Sequence, residues 1–193
     1  MNTPAHVVFN LAILGRKARS QWSPLIIWGA LIPDLAMFGF YLWLSLGTDM
    51  PQRQIWNEEY FRPFWQNIFD FFNSIPLALI GLGAMLYAKR TGIALLFASI
   101  VLHCLADLPV HHDDGHRHFW PLSHYRFESP ISYWDSAHYG NIVAPIEQGL
   151  MLLASIYVFR QVRSRWSKGL LISANVLPPL VYLWFTVAQR LDA

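Results

Sequence analysis

The chain has 193 residues, of which 54% are apolar and 13% charged, with a formal net charge of +2. Soluble domains carry roughly 25% charged residues, so this balance excludes an ordinary water-soluble globule and points to lipid. Thirteen Phe, nine Trp and eight Tyr gather where apolar runs meet polar loops, as aromatic belts do, and the lone Cys104 excludes an intramolecular disulfide and a thiolate metal cluster.

The chain opens MNTPAHVVFNLAILGRKARS, with its basic residues after the apolar stretch, the reverse of a cleavable signal. Residues 7–14 are too few to span, so a short N-terminal membrane-associated helix is expected there. Apolar runs long enough to cross follow at about 23–46, 68–88, 92–110, 140–159 and 169–189. The expected fold is therefore all-α, one integral membrane domain over 1–193 with about five transmembrane helices.

Two kinds of connection alternate between these runs. Arg16, Lys17 and Arg19, then Lys89 and Arg90, then Arg160, Arg163, Arg165 and Lys168 form short basic turns without an acid, nine of the 14 basic residues. The other loops, 47–67 and 111–139, are richer in acids. By the positive-inside rule the basic turns face the cytoplasm and the His-rich loop 111–139 the outer side, as in a bacterial inner-membrane protein. Within 55–69, Trp56, Tyr60, Phe61, Phe64 and Trp65 recur at partly helical spacing, as on an interfacial helix that can serve as a lid.

Ionisable groups inside spans cost about 2.5 to 3.5 kcal/mol on insertion scales, which marks them as candidate functional groups. Counting about 1.5 Å per residue from the basic turns, Asp34, His103 and Glu147 reach one level and Asp107 lies a turn further out; His6 can approach it from a helix dipping in. His103 and Asp107 stand four apart on one helical face, and His111 continues it. The loop beyond adds His112, Asp113, Asp114, His116, His118 and His124. A histidine and carboxylate set without thiolate suits zinc first, and manganese or iron. Structural alternatives remain open: His103 and Asp107 can knit helices together, Asp34 can cap a helix broken at Pro33, and Glu147 after Pro145 can be a hydrogen-bonding partner. HExxH, GxSxG, Walker A and paired CxxC signatures are missing.

TPAHVVFN, the LIPD element and the block LHCLADLPVHHDDGHRHFWPLSHYRFESPI resemble the YdjM-like family of inner-membrane-associated metal-dependent hydrolases, over about the first two thirds of the chain. The resemblance implies metal-site roles for His6, Asp34, His103 and Asp107. The family's H-R-x-x-T-H-S element has only FFNSIPLA here, with Asn73 and Ser74 where histidines are expected.

The expectation from sequence is a membrane-embedded hydrolase in which Asp34, His103 and Asp107 are catalytic. With His6, His111, His112, Asp113 and His116 they are the candidate ligands of a divalent metal. Arg117, Trp120 and Arg126 are candidate contacts to an ester, phosphoester or amide substrate, with a lipid or lipid-linked one fitting the location. Membrane lipids are the expected partners, and no nucleic acid. The alternatives are a divalent-metal-binding or transport protein and a non-enzymatic membrane scaffold.

Overall fold

The computed structural model describes residues 1–16, 18 and 20–191, with side chains through Leu180. Lys17 and Arg19 of the first basic turn, and the C-terminal pair 192–193, lie outside the described residues. Every regular element among them is helical: α1 (Thr3–Leu14), α2 (Ser23–Gly47), α3 (Gln52–Gln54), α4 (Pro63–Phe72), α5 (Ile75–Tyr87), α6 (Thr91–Asp107), α7 (Gly140–Gln161) and α8 (Arg165–Leu191).

Three stretches are long and apolar enough to cross a membrane: Ser20–Gly47, Pro63–Tyr87 and Gly140–Gln161. Polarity is distributed as in a lipid-embedded protein. Trp43, Leu46, Ile80, Tyr87 and Leu153 are exposed, whereas His6, Asn10, Ser99, His103, Asp107 and Glu147 are buried. Backbone and side-chain polar groups without access to water must find partners inside the protein, and helices that turn polar faces inward achieve this.

The expected run 92–110 ends as a helix at Asp107, before Pro109, which has no backbone N–H to continue the helical hydrogen bonds. It is 17 residues long, at the lower limit for a span. The expected run 68–88 is broken at Asn73–Ser74. There α4 stops, and Ser74 caps α5 by accepting from the Leu77 amide with Pro76 in the first turn. Both signals lie in the local sequence NSIP.

At twelve residues, or about 18 Å, α1 is too short to cross the membrane. Instead of lying on the surface it packs against α2, α6 and α7, burying Ala5, His6, Val8 and Asn10. Its start is fixed by Asn2, whose side chain accepts from the Ala5 amide at 3.0 Å.

Pro33 sits inside an unbroken α2, so Asp34 does not cap a broken helix. Segment 55–69 is a π-helical turn over Ile55–Glu59 followed by α4. Phe40 of α2 receives Trp56, Tyr60, Trp65 and Phe69 edge-on, with ring centroids 5.0 to 6.2 Å away. The segment expected as an interfacial helix is anchored by these rings to the C-terminal half of α2.

Helices α2 and α6 touch most closely at Gly29, where an added Cβ would lie 2.2 Å from the Leu96 carbonyl oxygen and 2.7 Å from the Ser99 Cβ. Small residues at such crossings let backbones approach. Gly29→Val is expected to lower the thermal stability of the detergent-solubilised protein, by about 1 to 3 kcal/mol of overpacking. Gly39→Val, where an added Cβ meets nothing within 4 Å, should leave it nearly unchanged; a melt in which both variants behave alike would show that the α2–α6 contact is not tight.

Candidate metal centre

α6 carries His103 and Asp107 one turn apart on its buried face, α1 brings His6 to them, and α2 brings Asp34. His6, His103 and Asp107 each offer a ligand atom within 4.8 Å of the others, the group among the described residues able to hold a metal ion. His6 Nε2 lies 2.9 Å from Asp107 Oδ1, and His103 Nε2 lies 3.0 Å from Asp107 Oδ2 and 3.6 Å from Asp34 Oδ1. The two imidazoles stack at 3.5 Å between centroids with planes 12° apart, an approach that favours uncharged rings over two imidazoliums.

The orientation of His103 decides its chemistry. Its Nδ1 is 2.8 Å from the Ala30 carbonyl oxygen, which can only accept, so Nδ1 carries the hydrogen. Nε2 then faces two carboxylates, and a proton or a metal ion on it would be stabilised by both. Nε2 is buried without a hydrogen bond even though Asp107 Oδ2 is close, because the contact is misaligned. His6 Nδ1 is likewise buried and unpartnered. A ligating histidine commonly donates its second N–H to a backbone carbonyl in this way.

Around this group the polar atoms are dense. Asp107 Oδ1 also receives the Met1 nitrogen at 2.8 Å and lies 3.3 Å from His111 Nε2. Thr3 Oγ1 donates to Asp34 Oδ2 at 2.5 Å, and the backbone and side-chain nitrogens of Asn2 both donate to Glu147 Oε1. One turn from His6 and His103, Asn10 Nδ2 donates to Ser99 O and Oγ, each at 2.8 Å, and Ser99 Oγ donates to Ile26 O at 2.6 Å. This ladder sets the register of α1 against α6 and α2, and so the height of His6 beside His103.

The loop residues divide. His111 stands between Asp107 and Asp114, with Nδ1 3.0 Å from Asp114 Oδ2. Burial opposes its charged form, yet hydrogen bonding to the two carboxylates raises its pKa above the usual histidine value. His112 Nδ1 faces Ser129 O at 2.7 Å and its ring stacks on His138, Asp113 is exposed, and His116 is buried against Phe69 and His118. None of these three belongs to the His6, His103 and Asp107 group.

The expected substrate contacts hold the loop to α4. Arg117 donates from its backbone nitrogen and Nε to the buried Asp70, at 2.9 and 2.5 Å, and from Nη2 to Asn67 at 2.6 Å. Arg126 Nη2 donates to Gln66 at 2.6 Å. The Trp120 carbonyl accepts from Ser74 Oγ while its ring meets Phe71 edge-on. At Asn73, where the resemblance expects a histidine, the backbone carbonyl accepts from Cys104 Sγ at 3.2 Å and from His118 Nδ1 at 3.1 Å, so the loop fills the α4–α5 break.

Sequence reading missed Thr3, Asn10 and Asp70. Asp70 carried a signal, a lone acid inside the apolar stretch FDFF, which the insertion-cost argument applied to Asp34 would also have flagged. Thr3 and Asn10 carried none beyond sharing the segment of His6. No family model, curated protein or solved structure matches the chain.

Burial, followed by the neighbouring His118 and His111, holds the His116 imidazole well below its usual value of 6.5. As pH falls below that value the unfolded chain takes up this proton first, so the stability contributed by neutral His116 is present above about pH 6.5 and lost on acidification. Thermal melts from about pH 7 to about pH 5 should show wild type losing more stability than His116→Leu. Parallel losses would mean that His116 stays out of the balance.

Proposed function

We propose that this chain is a membrane-embedded, metal-dependent hydrolase of five spans, with the centre at His6, His103 and Asp107, and Asp34 and His111 beside it. The observation that carries this reading is the convergence of His6, His103 and Asp107, with Nε2 of His103 facing Asp107 and Asp34 while its Nδ1 is tied to Ala30 O. A nitrogen facing carboxylate oxygens at this distance calls for a positive charge between them, which a proton supplies when no metal is bound and a divalent metal supplies when it is. Two histidines and one or two carboxylates match the ligand chemistry of zinc, and also of manganese or iron.

A divalent metal held there would act as a Lewis acid and bring the pKa of a bound water toward 7, making hydrolysis available at neutral pH. The protein groups have separate tasks. Ala30 O fixes the tautomer of His103, Thr3 orients Asp34, and the Asn10–Ser99 ladder positions His6. His111, which touches both Asp107 and the loop carboxylate of Asp114, is placed to move a proton between the centre and the outer loop. Ester, phosphoester or amide bonds of a lipid or lipid-linked substrate suit a centre near the end of α6. The likeness of TPAHVVFN, LIPD and HCLAD to the YdjM-like hydrolases supports the same residues.

Five spans follow if the 17-residue α6 and the 27-residue α8 cross beside the three longer apolar stretches. The basic turns then share one side, which the positive-inside rule makes cytoplasmic, and the His-rich loop faces outward.

Elemental mass spectrometry on purified protein should find near-stoichiometric zinc, manganese or iron. His103→Ala and Asp107→Asn should lose at least about tenfold in metal retained, in line with the effect of removing groups at metal sites. His112→Ala should retain it. Hydrolysis of lipid-like esters should follow metal content and stop on chelation. A wild type that stays metal-free after reconstitution would remove the hydrolase reading and leave the cluster as a network that knits α1, α2 and α6 together.

A further inference from the structure

The turn between α7 and α8 and the helix ends beside it hold four basic residues, Arg160, Arg163, Arg165 and Lys168, and no acid occurs between Glu147 and Asp192. Above it the two helices leave an open groove of about 340 Å³. Leu152, Ile156 and Phe159 of α7 and Leu171 and Ile172 of α8 form its apolar walls, and Arg160 is the charged residue among those lining it. Along α7 the lining positions repeat at 152, 155, 156, 159 and 160, so one helical face presents a continuous apolar strip that ends in a guanidinium. Lys168 Nζ lies 4.7 Å from the centre of the Phe159 ring, which brings a second cation to the mouth.

The groove is not a polar site in disguise. Ser155 and Asn175 also line it, but Asn175 Nδ2 donates to Ser155 Oγ at 2.7 Å and to Leu171 O at 2.8 Å, so these groups tie α7 to α8. What remains open is apolar surface below a cationic rim. In a membrane, hydrocarbon chains surround such a groove and anionic headgroups lie at the level of the rim.

We propose that this groove binds one anionic glycerophospholipid from the leaflet facing the basic turns. Its phosphate lies at Arg160 and Lys168, and one acyl chain lies along Leu152, Ile156, Phe159 and Ile172. The guanidinium gives directed hydrogen bonds to phosphate oxygens, and clustered Lys and Arg at a helix end draw anionic lipid. This site lies on helices other than those that carry His6, His103 and Asp107, and it stands whether or not that group holds a metal.

The test is native mass spectrometry of the full chain purified in mild detergent and titrated with phosphatidylglycerol or phosphatidylcholine of the same acyl chains. Wild type should retain one phosphatidylglycerol in preference to phosphatidylcholine. Arg160→Gln should weaken that retention about fivefold, the effect of one cation at a membrane surface. Ile172→Trp fills the groove without altering charge and should abolish the preference, while size-exclusion profiles and melts show both variants folded. If Ile172→Trp binds phosphatidylglycerol as wild type does, attraction to the turn alone explains the lipid and the groove site is overturned. Equal retention of both lipids by wild type overturns it too.

Discussion

The structure depends on one constraint: a carboxylate, Asp107, is almost fully buried at the end of an apolar helix and has to be satisfied by protein. A charged group denied water costs several kcal/mol unless partners replace the hydration it has lost. Four nitrogens lie 2.8 to 3.3 Å from its oxygens, from Met1, His6, His103 and His111. They arrive from α1, from α6 itself and from the loop beyond it, so the positions of these elements are fixed by a single side chain.

The same economy runs through the bundle. Ser99, Asn10 and Ile26 O form a second polar crossing of the same three helices, and Ser155 with Asn175 forms one between α7 and α8. Apolar packing cannot set register by itself where lipid is as apolar as leucine, so small residues and interhelical hydrogen bonds do so. Gly29 brings the α2 and α6 backbones together, and the hydrogen bond from His103 to Ala30 O crosses that contact.

Much of this was legible from spacing alone. The helical class follows from run length, and counting residues out from the basic turns puts Asp34 and His103 at one level with Asp107 a turn further along; the same count also puts Glu147 at that level, and it pairs with Asn2 instead. Three things were not legible. The break at Asn73–Ser74 is hidden in an apolar run, and NSIP marks a cap only when weighed above hydropathy. The aromatic segment near 55–69 has the composition of an interfacial helix, yet Phe40, which gives it a partner, lies in a different helix. The histidines from His111 to His118 are alike in composition but differ in fate: His111 reaches Asp107, His112 stacks on His138, and His116 is buried beside Phe69. Which one meets the centre depends on how Arg117 and Asp70 fold the loop, and that contact joins residues 47 positions apart.

The placement of α1 bears on how the protein is made. α1 is synthesised before α2 and long before α6, yet the partners of His6 and Asn10 lie 101 and 89 residues further along the chain. A twelve-residue helix cannot hold itself across a bilayer. The contacts that seat α1 through His6 and Asn10 therefore cannot form until α6 has been made. Assembly of the His6, His103 and Asp107 group thus waits for α6, and a chain stalled before α6 would leave His6 and Asn10 without these partners.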